Sequence, residues 1–324
     1  MRTIKARNVN QALGKGIHLL QLEGELEESR NGDVLVAPTP VVTVYDKPRE
    51  RVLFCPIRDA NPFFHLLECL WMMAGSNDLA WPLFFNSRFS GFSDDGSTLH
   101  GAYGHRWRFA FHIDQLKKII MELNDNPGSR RVVLQMWSAG TDLGRNGKDL
   151  PCNTHIYFLK RGDALDMTVC NRSNDIVWGA YGANAVHMSF LQEVIAHCVG
   201  LKVGKYYQFS NNYHVYIDVV PPDQFASRII SAIDHDVYSN GHVKHFPVIQ
   251  TSLQDWDADV KKFLADPTER TNYNDPFFNS VAYPMFMSFS ERKNKTGDGL
   301  QWAKLIQAQD WRMACVAWIE RRSK

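Results

Sequence analysis

The sequence has no apolar run long enough to cross a bilayer. Its first residues, MRTIKARNVNQALGKGIHLL, contain neither a long apolar core nor a small-residue cleavage site, so no secretory leader is expected. Cysteine is sparse and dispersed: six residues, at 55, 69, 152, 170, 198 and 315, without a CxxC pair. That pattern argues against a zinc ribbon or disulfide framework and predicts reduced thiols, no metal centre and a cytoplasmic setting. Net charge is only +1, so whole-surface attraction to nucleic acid or membrane is not predicted either. No internal repeat or low-complexity block is evident.

What is present suits one large α/β domain: 324 residues, 44% hydrophobic and 22% charged. Helices are predicted over 61–75, with Asn61 as N-cap, Pro62 in the first turn and Gly75 as the stop, and over 112–124, 184–199 and 223–235. Strands are predicted at 131–137, 154–160, 164–171, 205–210 and 246–251, the second and third joined by an Arg-Gly-Asp turn. In 164–171, Leu165, Met167 and Val169 alternate with Asp166, Thr168 and Cys170, the period of a pleated sheet. A polar, linker-like stretch at 290–299 leads into a Trp-rich terminal helix over 300–321.

The residues that carry chemistry begin with Pro151-Cys152, at a strand start after a long polar loop. One hairpin later come Arg172, Ser173, Asn174 and Asp175. A lone cysteine is usually a small core residue, but an exposed strand start with arginines nearby would favour the thiolate. Glu68 is the only acid in the apolar helix 61–75, sharing a face with Phe64, Leu67 and Trp71. Burial without a partner is costly for an ionised carboxylate and favours the protonated acid, which suits proton transfer; a surface-seeking or arginine-paired glutamate is the plainer alternative. Arg30, Arg130, Arg131 and Arg172, each ordinary alone, would together suit a phosphate dianion. His214 and Tyr216, at i and i+2, would face one side of a strand and hold a hydroxyl.

Glu68 in LLECLW, Tyr103 in GAYGHRWR, Arg130-Arg131, Pro151-Cys152, RSND and HVY, in that order, resemble the thymidylate synthase superfamily across roughly residues 28–220. RSND followed by WGAYGANAVH looks closer to pyrimidine nucleotide (dCMP, dUMP or CMP) 5-hydroxymethylases, of phage or antibiotic-pathway type, than to housekeeping thymidylate synthase. The resemblance implies a thymidylate synthase-like α/β fold, a mixed sheet packed with helices over 1–290, followed by a linker and C-terminal helix at 291–324. It implies 5,10-methylenetetrahydrofolate as cofactor, a pyrimidine nucleoside monophosphate as substrate, and a homodimer with shared active sites in the cytoplasm (a host's, if phage-encoded).

By the same likeness Cys152 would add to C6 of the base, with Glu68, Tyr103 and Asp175 completing the catalytic set. Arg30, Arg172 and Ser173 would bind the 5′-phosphate, joined by Arg130 and Arg131 from the other subunit; His214 and Tyr216 would hold the 3′-hydroxyl and Asn184 the base. Neither a membrane nor an obligatory nucleic acid is implied.

The match departs from thymidylate synthase at several positions. Asn153 follows the cysteine where that enzyme usually has histidine. Trp178 to Asn184 runs one residue longer than its Leu-Gly-x-Pro-Phe-Asn, Phe89 lies near its usual tryptophan, and a basic helix stands where it has a short apolar tail. These differences favour water over hydride as the final nucleophile, with reductive methylation as the alternative. Asn184 carries both a donor and an acceptor and so permits dUMP or dCMP. A Cys-His hydrolase using His155 leaves the arginines unexplained, and a non-catalytic nucleotide- or RNA-binding protein leaves the thiol unexplained.

Overall fold

The computed structural model describes residues 1–234 and 236–323. Among the described residues, eight strands form one mixed sheet: β1 (Arg2–Ala6), β2 (Glu25–Glu27), β3 (Val34–Val36), β4 (Val41–Tyr45), β5 (Val133–Gln135), β6 (Asn153–Arg161), β7 (Ala164–Asp175) and β8 (Lys202–Tyr216). The main path runs β1-β4-β8-β7-β6-β5, with β3 also on β8 and β2 on β3. Pairs β1–β4 and β7–β8 are parallel and the others antiparallel, the mixed sheet that was expected.

Among the described residues, twelve α-helices surround it. They are α1 (Val9–Glu23), α2 (Pro62–Met73), α3 (Ala80–Phe85), α4 (Tyr103–Arg108), α5 (Gln115–Asp125) and α6 (Ala139–Asp142). Then come α7 (Asn184–Cys198), α8 (Phe225–Asp234), α9 (Leu253–Ala265), α10 (Tyr283–Asn294), α11 (Leu300–Leu305) and α12 (Gln309–Arg321). Among the described residues no helix is long and apolar enough to cross a membrane.

Helix α2 forms as its sequence dictates. The Asn61 side chain accepts from the Phe64 N–H, Pro62 occupies the first turn, and every residue from Pro62 to Met73 is buried. A helix apolar on all sides must be covered on all sides. Accordingly α7, α9, α10 and α12 pack around α2. Helix α1 and helix α7 cover one face of the sheet. The other face stays open: Val133, Tyr157, Thr168 and Tyr207 lie in register across β5–β8, and Val133 and Tyr157 are 42% and 45% exposed.

Several expected elements differ. Residues 246–251 form no strand: Val248 and Ile249 are buried, but the N–H groups of Gln250 and Thr251 donate to the Asp275 carboxylate, which replaces a ladder partner. Helix α5 starts after Asp114, whose side chain caps it, leaving Ile113 outside and exposed. The helix expected over 223–235 is α8; residue 235 lies outside the described residues. The stretch 290–299 is helical to Asn294. The terminal helix is broken at Ile306, which is fully buried, while the Gln307 N–H donates to the Ser280 carbonyl. Trp311, Cys315 and Trp318 of α12 join the same core as α2.

Candidate active site

Cys152 precedes the first residue of β6, where the antiparallel hairpin with β7 ends. The Arg172 N–H donates to the Cys152 carbonyl at 2.9 Å, which draws the Arg172 side chain alongside the thiol. Its guanidinium then donates to the carbonyls of Pro151 (3.0 Å) and Leu150 (3.1 Å) and lies 3.8 Å from Cys152 Sγ. The Tyr103 hydroxyl, at the start of α4, accepts from the N–H groups of both Cys152 and Asn153 at 3.3 Å. Burial keeps the Tyr103 phenol protonated far above its ordinary range.

The nearby arginines do favour the thiolate, as expected, but burial outweighs them. Burial raises the Cys152 thiol above its ordinary value, and Arg172 and Arg30 offset that only in part while Asp149 and Asp175 add to it. The net direction favours the protonated thiol.

Beside Cys152 opens a cleft of about 310 Å³, which Glu68, Tyr103, Ser173, Asp175 and Asn184 also line. These residues come from α2, α4, β7 and α7, which meet at the ends of β6 and β7. An amide relay runs along its floor: Asn153 Nδ2 donates to Asn184 Oδ1 (3.2 Å), Asn184 Nδ2 to Asn174 Oδ1 (3.1 Å), and Asn174 Nδ2 to Ser210 Oγ (2.9 Å). Asn153, where a histidine is usual in thymidylate synthases, thus orients Asn184. The extra residue before Asn184 is absorbed in a wide, π-type turn over Ile176–Ala183, kinked at Gly182 (φ −114°, ψ −112°). A Cβ at Gly182 would lie 2.7 Å from the Val177 carbonyl oxygen, so the kink needs glycine.

Asp175 caps that turn, its Oδ1 accepting from the N–H groups of Val177 (2.9 Å) and Trp178 (2.5 Å), while its Oδ2 is buried without a well-formed hydrogen bond among the described residues. Burial pushes this carboxyl up from 3.8 to about 6. Such a displacement weakens the folded state by about 3 kcal/mol at neutral pH. The native state binds this proton more tightly than the unfolded chain, so stability falls as pH rises from about 4 through 6. Asp175→Asn, which keeps the cap, should therefore raise stability by about 2–3 kcal/mol at pH 7.5 and by almost nothing at pH 3.5. Urea melts at the two pH values check this; an equal gain at both would refute it.

The remaining sequence-predicted residues fall into three places. Arg30 and Arg172 are exposed at the cleft mouth, Arg30 donating to the Gly147 carbonyl at 3.4 Å. His214 pairs in register with Asp175, its Nδ1 2.6 Å from Asn212 Oδ1 and its ring edge-on to Tyr216; both stand on the strand beside the cleft. Burial lowers His214 and keeps its imidazole neutral. Arg130 and Arg131 are exposed and do not line the cleft of their own chain; Arg131 pairs with Glu122 at 3.1 Å.

Three further residues of the site went unread in the sequence. Asp149, three residues before Cys152, accepts from the Gly101 N–H at 2.7 Å and faces the cleft. Arg58, lowered to about 10 by burial, stacks 4.5 Å from the Trp178 ring centroid and donates to the Val177 carbonyl at 2.8 Å. His187 stands three residues after Asn184, one helical turn on, and its spacing was the available signal. Among the described residues no group of three or more potential metal ligands occurs.

Comparison with known proteins follows the same lines. The family model described as thymidylate synthase matches residues 23–274. Over 333 aligned residues the chain is 47% identical to the deoxyuridylate hydroxymethyltransferase of Pseudomonas phage M6, covering 99% of this chain and 95% of that protein. It is 32% identical over 263 residues to the deoxyuridylate hydroxymethyltransferase of Bacillus phage SP01, covering 75% of this chain and 65% of that one. The thymidylate synthase of Streptococcus mutans is 38% identical over 107 residues, 32% of this chain and 38% of that enzyme.

Proposed function

The chain belongs to the thymidylate synthase family, and from that premise we propose that it hydroxymethylates C5 of deoxyuridine 5′-monophosphate, using water as the final nucleophile. It is a one-carbon transferase. The observation that carries the reading is the convergence of Cys152, Tyr103, Glu68 and Asn184 on one cleft, in a chain alike over nearly its full length to a deoxyuridylate hydroxymethyltransferase.

Uracil fits the amide relay. Asn184 Oδ1 retains a lone pair for the N3–H, and its second Nδ2 hydrogen is free for O4. Arg172 and Arg30, with Ser173 beside them, would receive the 5′-phosphate at the mouth, and His214 and Tyr216 the sugar hydroxyl. Cys152 would add to C6 and so make C5 nucleophilic, its proton passing to the cleft as the bond forms. Tyr103, holding two backbone N–H groups at the start of β6, would keep the thiol aimed.

Folate chemistry fits these residues too. Asp175 Oδ2, buried without a well-formed hydrogen bond among the described residues, suits the N–H donors of a pterin, and Trp71, Phe89 and Trp178 give the cleft aromatic walls. When bound, 5,10-methylenetetrahydrofolate supplies the one-carbon unit at the oxidation level of formaldehyde.

The open sheet face supports a homodimer built on it. Arg131, Val133 and Gln135 are all exposed along β5 and its approach, so a second copy packed there would carry its Arg130 and Arg131 toward the first copy's phosphate site. We take residues 291–324 as an extension that buttresses α2 from behind.

The test is product identity. Incubation with dUMP and, separately, with dCMP, each with methylenetetrahydrofolate and followed by mass analysis, should give a hydroxymethylated nucleotide and tetrahydrofolate from dUMP and no product from dCMP. A methylated base with dihydrofolate would overturn the reading in favour of reductive methylation.

A further inference from the structure

One polar atom of the cleft, His187 Nε2, is buried without the hydrogen bond that burial ordinarily demands, and a carboxylate stands beside it. Glu68 sits in mid-α2 among Phe64, Leu67 and Trp71, and His187 sits in the first turns of α7, its side chain only 4% exposed. Packing of α2 against α7 brings His187 Nε2 to 3.1 Å from Glu68 Oε2. Yet the two are out of line: Nε2 makes no hydrogen bond among the described residues, and both side chains line the same cleft. Burial of this kind is costly unless a third group satisfies both. A water molecule would do so, and water is the reactant that a hydroxymethyl product requires.

Helix α7 sets His187 beside the residue that would recognise the base. Asn184 and His187, at i and i+3, share one face of α7 and lie about 5–6 Å apart at Cβ. The group that would read N3 and O4 of the uracil therefore has His187 as its neighbour in the same cleft.

Resting on the hydroxymethylation reading above, we propose that His187 is the catalytic base of the final step, holding the attacking water with Glu68 and taking its proton. The one-carbon unit then stands on C5 as an exocyclic methylene, with C6 still bonded to Cys152. The water oxygen bonds to the methylene carbon, the methylene–C5 π pair shifts into the ring as a C4 enolate, and the released proton goes to His187 Nε2. Collapse of the enolate restores the C5–C6 double bond and expels Cys152 as thiolate, which recovers the proton.

The step can be read without folate. By microscopic reversibility, enzyme given 5-hydroxymethyl-dUMP in ¹⁸O-water should wash ¹⁸O into the hydroxymethyl group. His187→Gln, close in shape, should lose this exchange by about 10²-fold or more while binding dUMP and melting as the parent does. Free imidazole should restore part of the exchange to His187→Gly, which a packing role would not allow. Exchange by His187→Gln at the parent rate, or a loss in His187→Gly that imidazole leaves untouched, overturns the role of His187 alone. Absence of exchange by the unaltered enzyme, still binding the nucleotide, overturns the hydroxymethylation reading and this proposal with it.

Discussion

Cys152→Ser is expected to lose turnover by about 10⁴-fold or more while binding dUMP nearly as well as the parent. The loss is large because no second nucleophile is at hand. Cys170 stands on β7 before the RSND block, and neither it nor any other described cysteine besides Cys152 lines the cleft. It also follows from electrostatics. Burial raises even the thiol, with Arg172 at 3.8 Å offsetting only part of that rise. A serine hydroxyl begins several pH units higher and gains no more from the same arginine, so its anion is out of reach.

Binding should persist because the groups that would hold the nucleotide are elsewhere: Arg30 and Arg172 at the mouth, Asn184 on the floor and His214 on β8. Calorimetric titration with dUMP and a single-turnover product assay separate the two effects. Denaturing mass spectrometry should also show a nucleotide adduct on the parent and none on the variant. Turnover by Cys152→Ser within tenfold of the parent would remove the covalent step.

The sheet hairpin and the helix of Glu68 were legible because local chemistry fixes them. Alternation through Leu165, Met167 and Val169 marks a strand whichever partner it has, and Asn61-Pro62 opens α2 before any packing occurs. The buried relay was not legible. Asn153 reads as a missing histidine, and only the fold shows that its amide reaches Asn184, 31 residues away, and fixes that side chain. His187 reads as one polar residue in an apolar helix; its meaning depends on α2 lying across α7. Val248 and Ile249 failed differently. Two buried β-branched residues suggest a strand, but Asp275 supplies the acceptor that a neighbouring strand would have given. The net direction of the thiol's shift was not legible for a related reason. Sequence shows the arginines near Cys152 but not the depth of the site, and depth outweighs charge here.

Gly104→Ala should destabilise the protein by about 3 kcal/mol or more and also cost about 10²-fold in turnover at temperatures where it stays folded. Gly104 is the second residue of α4, where that helix crosses the end of α2. A Cβ there would lie 1.9 Å from the Met72 carbonyl oxygen and 2.5 Å from its Cα, and backbone cannot rotate out of the way. Nor can α4 retreat freely. Arg106 donates to Asp142 at 2.6 and 2.8 Å, and Arg108 donates to the Met73 carbonyl at 2.7 Å and to Asp257 at 2.5 and 2.9 Å. Any retreat strains these buried pairs and carries Tyr103, the adjoining residue, away from the N–H groups of Cys152 and Asn153. Those contacts are already long at 3.3 Å, so little displacement is needed to free the start of β6 and misdirect the thiol. Gly140→Ala is the control: nothing lies within 4 Å of a Cβ at that position in α6, so alanine there should be neutral or slightly stabilising. Urea melts of both variants, with kcat and the dUMP Kd measured on each, decide the matter. A Gly104→Ala protein as stable and active as Gly140→Ala would show that the α2–α4 crossing does not set the position of Tyr103.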